Sequence, residues 1–176
     1  MHVHRPHGGG NRWVRIPDAS PTAIRLSVRA SGAANTAIGL ALGVLLGSVA
    51  NRAVRGRDRA ALSLGPDEWL VLAPASDNNL ADRAIAAAAQ NASVVDVSDR
   101  FVDIEVTGPR AAWRLNGFCA LDLAPHTFPV GMCTRTLFGK VEVVLWRTAS
   151  TAFHLEVARS LAPYVQQCLF EVGDMD

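Results

Sequence analysis

The sequence has little excess of either charge and almost no lysine. Seventeen basic residues stand against sixteen acidic ones, which gives a formal net charge of +1, and Lys140 is the single lysine among the arginines. A generic nucleic-acid or anionic-membrane binder needs a clear basic excess. We therefore expect neither nucleic acid nor a membrane among the partners of this chain.

Cysteines are few and widely spaced. Cys119, Cys133 and Cys168 form no Cys-x-x-Cys pair, so the sequence predicts neither a zinc site nor a disulfide framework. Three reduced, largely buried thiols are the favoured interpretation. The N-terminus also lacks the basic-then-apolar order of a signal peptide. Together these absences predict a cytoplasmic protein.

Motifs for catalysis or cofactor binding are missing as well. No Walker motif, dinucleotide fingerprint or Gly-x-Ser-x-Gly elbow occurs. Either His126 or His154 could in principle pair with Ser98 and Asp96 as base, nucleophile and orienting acid. No motif spacing links them, so we predict no catalytic, cofactor-binding or metal-binding residue in this chain.

Residues 1–20 are predicted to be a flexible tail, because three consecutive glycines and the prolines Pro6, Pro17 and, directly after the tail, Pro21 disfavour regular structure. His2, His4 and His7 in this tail could form a weak metal-binding cluster. On a glycine-flanked terminus, such a tract is more often without a role.

An uncharged run covers residues 30–51, with Gly39, Gly43 and Gly47 spaced four apart. That spacing lets membrane helices approach closely, so a membrane-anchored protein is one alternative. The polar residues in the run favour another interpretation, namely a buried helix over 33–42 that Gly43 ends, followed by an extended stretch.

Strands are expected in adjacent pairs, with helices interspersed singly. This order suits antiparallel α+β plaits with helices packed on one sheet face. We therefore predict an α+β fold with two ferredoxin-like (α-β plait) subdomains, about 21–92 and 93–172, within one domain spanning 21–172. The expected strands are 24–29, 60–64, 69–73, 93–97, 101–107, 134–138, 141–147 and 153–158, and the expected helices are 33–42, 79–90, 109–116 and 160–170.

A group of arginines is the best candidate for a partner-binding surface, because arginine makes forked contacts to carboxylates across interfaces. A solvated loop balanced by Asp58 is the alternative. The group consists of Arg52, Arg55, Arg57 and Arg59.

Two tryptophans, Trp113 and Trp146, are predicted to join that interface, since tryptophan is enriched at binding hot spots. Trp69 is assigned to the core instead, with Leu62 and Leu64 of the paired strand as its expected apolar neighbours. Between these strands, Asp67 and Glu68 are expected to be solvated in a turn.

Six short stretches, in the same order along the chain, resemble the gamma subunit of heterotetrameric sarcosine oxidase. The resemblance covers about residues 22–170, and its first stretch is the most specific. The stretches are Leu-Gly-Pro-Asp-Glu-Trp-Leu at 64–70, Asp-Val-Ser-Asp-Arg at 96–100, Gly-Pro-Arg-Ala at 108–111, Cys-Ala-Leu-Asp-Leu at 119–123, Arg-Thr-Leu-Phe-Gly-Lys at 135–140 and Leu-Trp-Arg-Thr at 145–148.

That family is distantly related to the glycine-cleavage T-protein, and the resemblance implies two plaits of the T-protein folate-binding type. Asp96, Ser98, Gly108 and Ala111 look like the Asp-x-Ser…Gly-x-x-Ala run of the wider group. The T-protein's catalytic aspartate follows a Gly-Gly pair, whereas residues 139–143 here lack both the pair and the aspartates. This departure speaks against folate catalysis by this chain.

The resemblance implies a non-catalytic subunit that supports assembly with alpha, beta and delta subunits. The implied complex oxidises sarcosine to glycine and produces hydrogen peroxide and methylene-tetrahydrofolate. FAD, FMN, NAD and tetrahydrofolate would belong to the partner subunits, with no cofactor bound by this chain. A free-standing folate-binding protein of the T-protein-like fold is the alternative.

Overall fold

The computed structural model describes residues 13–15, 23–88 and 92–173. These residues form two five-stranded antiparallel sheets and four α-helices. The elements are β1 (Val14–Arg15), β2 (Ala23–Arg29), α1 (Ala33–Leu42), β3 (Ala53–Arg55), β4 (Ala60–Ser63), β5 (Glu68–Pro74), α2 (Leu80–Ala87), β6 (Ser93–Asp96), β7 (Phe101–Thr107), α3 (Ala111–Asn116), β8 (Cys133–Phe138), β9 (Val141–Ala149), β10 (Ala152–Ala158) and α4 (Ala162–Gly173).

The two sheets share one topology. The first runs β3-β4-β5-β2-β6 and the second β8-β9-β10-β7-β1. In the first, β2, α1, β4, β5, α2 and β6 form a ferredoxin-like plait with β3 added at its edge. In the second, the N-terminal β1 pairs with β7 as β6 pairs with β2. The predicted plaits are thus confirmed, although the first sheet ends after Asp96 rather than at residue 92.

Helices cover one face of each sheet, as predicted. In the first half, Ile38 of α1 and Leu80 of α2 pack in one apolar cluster with strand residues such as Val71. In the second, Leu115 of α3 and Leu169 of α4 do the same against their own sheet. The remaining two sheet faces pack against each other, so the molecule has four layers in the order helix, sheet, sheet, helix.

The two sheets are also joined along one edge. Arg52 and Met132 form an antiparallel bridge. On either side of it, the Ala53 amide donates to the Gly131 carbonyl at 2.8 Å and the Cys133 amide to the Asn51 carbonyl at 3.0 Å. These bonds satisfy backbone groups at the edges next to β3 and β8, and they fix how the two sheets are aligned.

The glycines spaced four apart have local structural roles. α1 covers the predicted 33–42, and Gly43 ends it in the left-handed conformation (φ 66°) that glycine adopts without strain. A Cβ on Gly39 would lie 3.2 Å from the Val44 carbonyl oxygen, so glycine here lets the chain turn back closely over the helix. Among the described helices, none has the length and apolar character needed to span a bilayer.

Three predictions at element boundaries are wrong, beyond shifts of one to three residues elsewhere, such as the start of α3 at Ala111 rather than at 109. The tail over 1–20 includes β1, where Val14 is buried against the second sheet; two residues are too few to show a period. α2 ends at Ala87 because Ala88 is already extended, and residues 89–91 lie outside the described part. Ser160 falls in a short 3₁₀ turn that precedes α4 instead of capping it.

Candidate functional site

A buried arginine links the inner faces of the two sheets. Arg25 of β2 is only 1% exposed. Its Nε donates to Glu156 Oε2 of β10 at 2.5 Å, its Nη2 to Asp103 Oδ1 of β7 at 2.9 Å, and its Nη1 to the Ala23 carbonyl at 3.1 Å. The guanidinium therefore bridges two carboxylates. A buried cation needs such partners, because an unpaired buried charge is costly.

This polar network continues toward the surface through two rings. His154 Nε2 lies 2.8 Å from Glu156 Oε1, and its ring meets Trp146 edge-on at 5.9 Å. Above Trp146, the Arg55 guanidinium stacks 4.6 Å from the ring centroid and donates to the Thr148 carbonyl at 2.9 Å. A contact chain therefore runs from the interior to an exposed arginine.

A pocket of about 540 Å³ lies between the two sheets, beside the contacts that run from His154 through Trp146 to Arg55. Arg55 of β3 and the loop that follows contribute most of its charged side chains, and residues of β2, β4, β5, β7, β9 and β10 contribute the rest. Its lining residues are Ala23, Arg55, Gly56, Arg57, Asp58, Arg59, Ala60, Leu72, Ala73, Pro74, Glu105, Trp146, Thr148 and His154.

Trp146 lines the pocket, and its indole nitrogen is a buried polar atom without a partner among the described residues. The residue as a whole is 7% exposed. Buried polar groups of this kind are rare, because losing water without a replacement partner costs about 1–3 kcal/mol.

The arginines predicted as a binding surface divide into two kinds. Arg59 has a structural role: its Nη2 donates to Asp77 Oδ2 at 2.6 Å and its Nη1 to the Leu42 carbonyl. Arg52, Arg55 and Arg57 are exposed. The pKa of the Asp77 carboxyl is lowered, chiefly by hydrogen bonds from Arg83 and further by the charge of Arg59.

The tryptophans also differ in how far they are exposed. Trp113 on α3 is 49% exposed and remains available to a partner, whereas Trp146 is buried within the chain and offers little surface. Trp69 is 1% exposed, so its assignment to the core is confirmed. Its expected neighbours were wrong, however. Trp69 pairs with Ser63 and packs toward the helices, while Leu62 faces the other sheet.

Of the candidate triad residues, Ser98 and Asp96 are hydrogen-bonded to each other. Ser98 Oγ donates to Asp96 Oδ1 at 2.5 Å and accepts the Arg25 amide at 2.9 Å, which closes the loop after β6. His154 pairs with Glu156, as described above, and His126 is exposed in the loop before β8. The structure therefore brings Ser98 and Asp96 together at a strand end, while His154 bonds to Glu156 between the sheets.

Glu68 is not solvated as predicted. Arg135 of β8 holds it through two bonds, Nη1 to Oε2 at 3.0 Å and Nη2 to Oε1 at 2.5 Å. The Arg135 hydrogen bond is the main cause that lowers the pKa of the Glu68 carboxyl. Because Glu68 and Arg135 lie on different sheets, this pair forms a second ionic link between the halves.

Cys119, Cys133 and Cys168 are free and buried, as predicted. Burial raises the pKa of the Cys133 thiol to about 12, so it stays protonated. Within 13–15, 23–88 and 92–173, no cluster of three or more His, Cys, Asp or Glu residues could hold a metal. His2, His4 and His7 lie outside these residues.

Comparison with known proteins identifies the family. The sarcosine oxidase, gamma subunit family matches residues 27–173. The chain belongs to this family. It is 33% identical over 96 residues to sarcosine oxidase subunit gamma from Corynebacterium sp. (strain P-1) and 32% identical over 96 residues to that from Arthrobacter sp.. Each match covers 54% of this chain and 47% of the relative, so the aligned stretch spans about half the length of these curated relatives.

Solved structures agree with the family. The fold superposes with a TM-score of 0.83 and 27% identity on a chain of the heterotetrameric sarcosine oxidase from Corynebacterium sp. U-96, covering 93% of this chain and 85% of that one. The glycine cleavage aminomethyltransferase T from Bartonella henselae matches with a TM-score of 0.61 and 15% identity, over 85% of this chain and 43% of that one. This second likeness shows the fold alone.

Proposed function

We propose that this chain is the gamma-type subunit of a heterotetrameric sarcosine oxidase, assembled with alpha, beta and delta subunits in the cytoplasm. The observation that carries the proposal is the superposition over 93% of the chain on a polypeptide of such an enzyme. The assembly oxidises sarcosine to glycine and forms hydrogen peroxide and methylene-tetrahydrofolate.

In this proposal the chain contributes structure rather than chemistry. Its histidine, serine and carboxylate candidates are engaged in strand-end contacts and in the links between the sheets. FAD, FMN, NAD and tetrahydrofolate are bound by the partner subunits. The docking surface includes the exposed Arg52 and Arg57 and the half-exposed Trp113.

Reconstitution tests the proposal. The four subunits are co-expressed with and without this chain, and sarcosine-dependent peroxide formation is measured together with the size of the complex. We expect omission to abolish the complete assembly and most of the activity. Full activity in a three-subunit complex of unchanged stability would contradict the proposal, and tight tetrahydrofolate binding by this chain alone would favour the free-standing folate-binding alternative.

A matched pair of variants locates the docking surface. Trp113→Ala should weaken assembly by about 2 kcal/mol or more if Trp113 is an interface anchor. Val130→Ala removes another exposed apolar side chain (54% exposed) and should change assembly by less than about 0.5 kcal/mol. Equal effects of the two substitutions would remove Trp113 from the proposed surface.

A further inference from the structure

We propose that Arg114 of α3 takes its counter-ion from a partner subunit, whose aspartate or glutamate side chain enters a small pocket beside the helix. The inference rests on the subunit role proposed above and names one contact of that assembly. The pocket holds about 200 Å³, below the roughly 300–1,000 Å³ typical of sites for drug-sized ligands. Its volume therefore suits a single side chain.

Arg114 is a buried cation without a counter-ion. It is 6% exposed, and neither a hydrogen bond nor an ion pair engages its guanidinium within the described part of the chain. Two other buried arginines differ: Arg25 pairs with two carboxylates, and Arg147 donates to backbone carbonyls. Because an unpaired buried charge is costly, the site of Arg114 is incomplete in the free chain.

A carboxylate can reach this guanidinium along one edge. Arg114 lines the pocket. Its Nη1 atom is sealed from solvent and stays out of reach, whereas Nε and Nη2, which also lack a partner among the described residues, are not sealed. The Nε–Nη2 edge presents two parallel N–H donors to a carboxylate. Since the positive charge is delocalised over the whole group, a carboxylate on this edge neutralises it without touching Nη1.

The pocket beside α3 is preformed. The Trp13 ring lies over Gly108, where a Cβ would come within 2.2 Å of Cε3, so glycine at this position leaves room for the ring. The Thr107 amide also donates to the Trp13 carbonyl at 2.8 Å. Trp13 is therefore held as a fixed wall. The lining among the described residues contains no carboxylate and consists of Trp13, Pro109, Arg110 and Arg114.

The pocket lies next to the tryptophan proposed above as an interface anchor. Trp113 is 49% exposed and directly precedes Arg114. Arg110, the exposed N-cap residue of α3 that also lines the pocket, lies three positions before Trp113, and side chains with this spacing are neighbours on a helix. A partner that buries Trp113 is therefore placed to cover the pocket as well, and loss of water there strengthens the attraction between opposite charges. This position favours a partner's side chain over a free anion.

The test compares the free chain with the assembled one. Arg114→Met keeps most of the unbranched stem and removes the charge. The melting temperature of the free full-length variant should stay the same or rise, because an unpaired buried charge is lost. In complexes co-expressed with the other three subunits and diluted in series, the concentration at which half of this chain dissociates should rise at least about thirtyfold. The reason is that the partner's carboxylate is left buried and unpaired.

Two matched variants make the result specific. Arg114→Lys keeps the charge without the forked donors, so its complex should dissociate less readily than that of Arg114→Met. Arg100 is exposed and does not line the pocket, so Arg100→Met should leave dissociation unchanged.

Two results would overturn the inference. One is an Arg114→Met chain that assembles as tightly as the parent. If acetate, compared with chloride at equal ionic strength, then also stabilises the free parent but not the variant, the pocket takes a free anion instead. The other is a fall of about 5 °C or more in the melting temperature of the free variant, because Arg114 would then already be stabilised within the chain. Failure of the parent itself to assemble would refute the subunit role, on which this contact depends.

Discussion

The outer and inner layers of this protein are built differently. Where helices cover the sheets, the buried side chains are mostly apolar, from Ile38 and Trp69 in one half to Leu115 and Phe153 in the other. The buried Arg147 also lies there, but it bonds to backbone carbonyls rather than to a carboxylate. Between the sheets, an apolar cluster shares the space with the buried Arg25 and its carboxylate partners.

The two kinds of layer differ in what they contribute: one to the stability of each plait, the other to the alignment of the two plaits. Apolar burial is non-directional and accepts many arrangements of similar volume. A buried ion pair tolerates few arrangements, because any shift leaves charges unpaired. We infer that the outer layers stabilise each plait, while the inner polar contacts fix how the two plaits face each other.

Breaking the buried ionic link should have one of the two largest effects on stability. Arg25→Met is expected to destabilise the fold by about 3–5 kcal/mol, since it leaves the fully buried Glu156 and its neighbour Asp103 without their cation. Chemical denaturation followed by circular dichroism measures the loss. The double variant Arg25→Met/Glu156→Leu should recover part of it, and a single variant as stable as the parent would refute the role of this link.

Removing a large side chain from a helix-covered layer should destabilise the fold by a similar amount. Trp69→Ala should cost about 3–5 kcal/mol by creating a cavity, and it also leaves the Gly47 carbonyl without its indole donor. The melting temperature of the free chain and complex formation should both be measured. Trp113→Ala, at a half-exposed site, serves as the stability control. Unchanged melting of the Trp69 variant with lost assembly would reverse its assignment to the core.

The apolar part of the inner layer should be somewhat more tolerant. Leu62→Ala is expected to cost about 2–5 kcal/mol, depending on how far the facing sheets can close over the cavity. Leu137→Ala, at a position that is 58% exposed, should change stability by less than about 0.5 kcal/mol. If both variants unfold at the same denaturant concentration, the two sheets do not pack as described.

Loss of the partly exposed Glu68–Arg135 ion pair should have the smallest effect on stability, and that effect should depend on pH. Arg135 lowers the pKa of Glu68 in the folded chain, so the pair contributes stability above the unfolded pKa of the carboxyl and loses it as pH falls through the folded pKa. Since Arg135 is 41% exposed, solvent screening keeps the contribution below about 1 kcal/mol.

Glu68→Gln checks this small effect. The stability difference between the parent and the variant should be greatest near neutral pH and shrink both on acidification and with added salt. A difference that grows as pH falls would have the wrong sign and would contradict the ion pair.

The sequence predicts where the helices and strands lie better than it predicts which side chains face solvent and which face the second sheet. α1 and β7 have the predicted bounds, because Gly43 gives a clear stop signal and the alternation of Val102, Ile104 and Val106 gives a clear strand period. β1 was missed because two residues next to glycines and prolines carry no period.

The inner contacts could not be predicted because they depend on packing between the sheets. Alternation in β2 places Arg25 on the polar face, which is normally the solvent face. Here that face meets a second sheet, and Arg25 finds Glu156, which lies 131 positions away in sequence. Glu68 was assigned to solvent for the same reason, since nothing local signals Arg135 on the facing half.

The central claim is that this chain is one subunit of a larger oxidase. Affinity purification of the tagged chain from its native cell, followed by native mass spectrometry, tests this directly. We predict a single species that contains one copy of this chain and one copy each of three different polypeptides. Recovery of the chain alone, or only with copies of itself, would contradict the account.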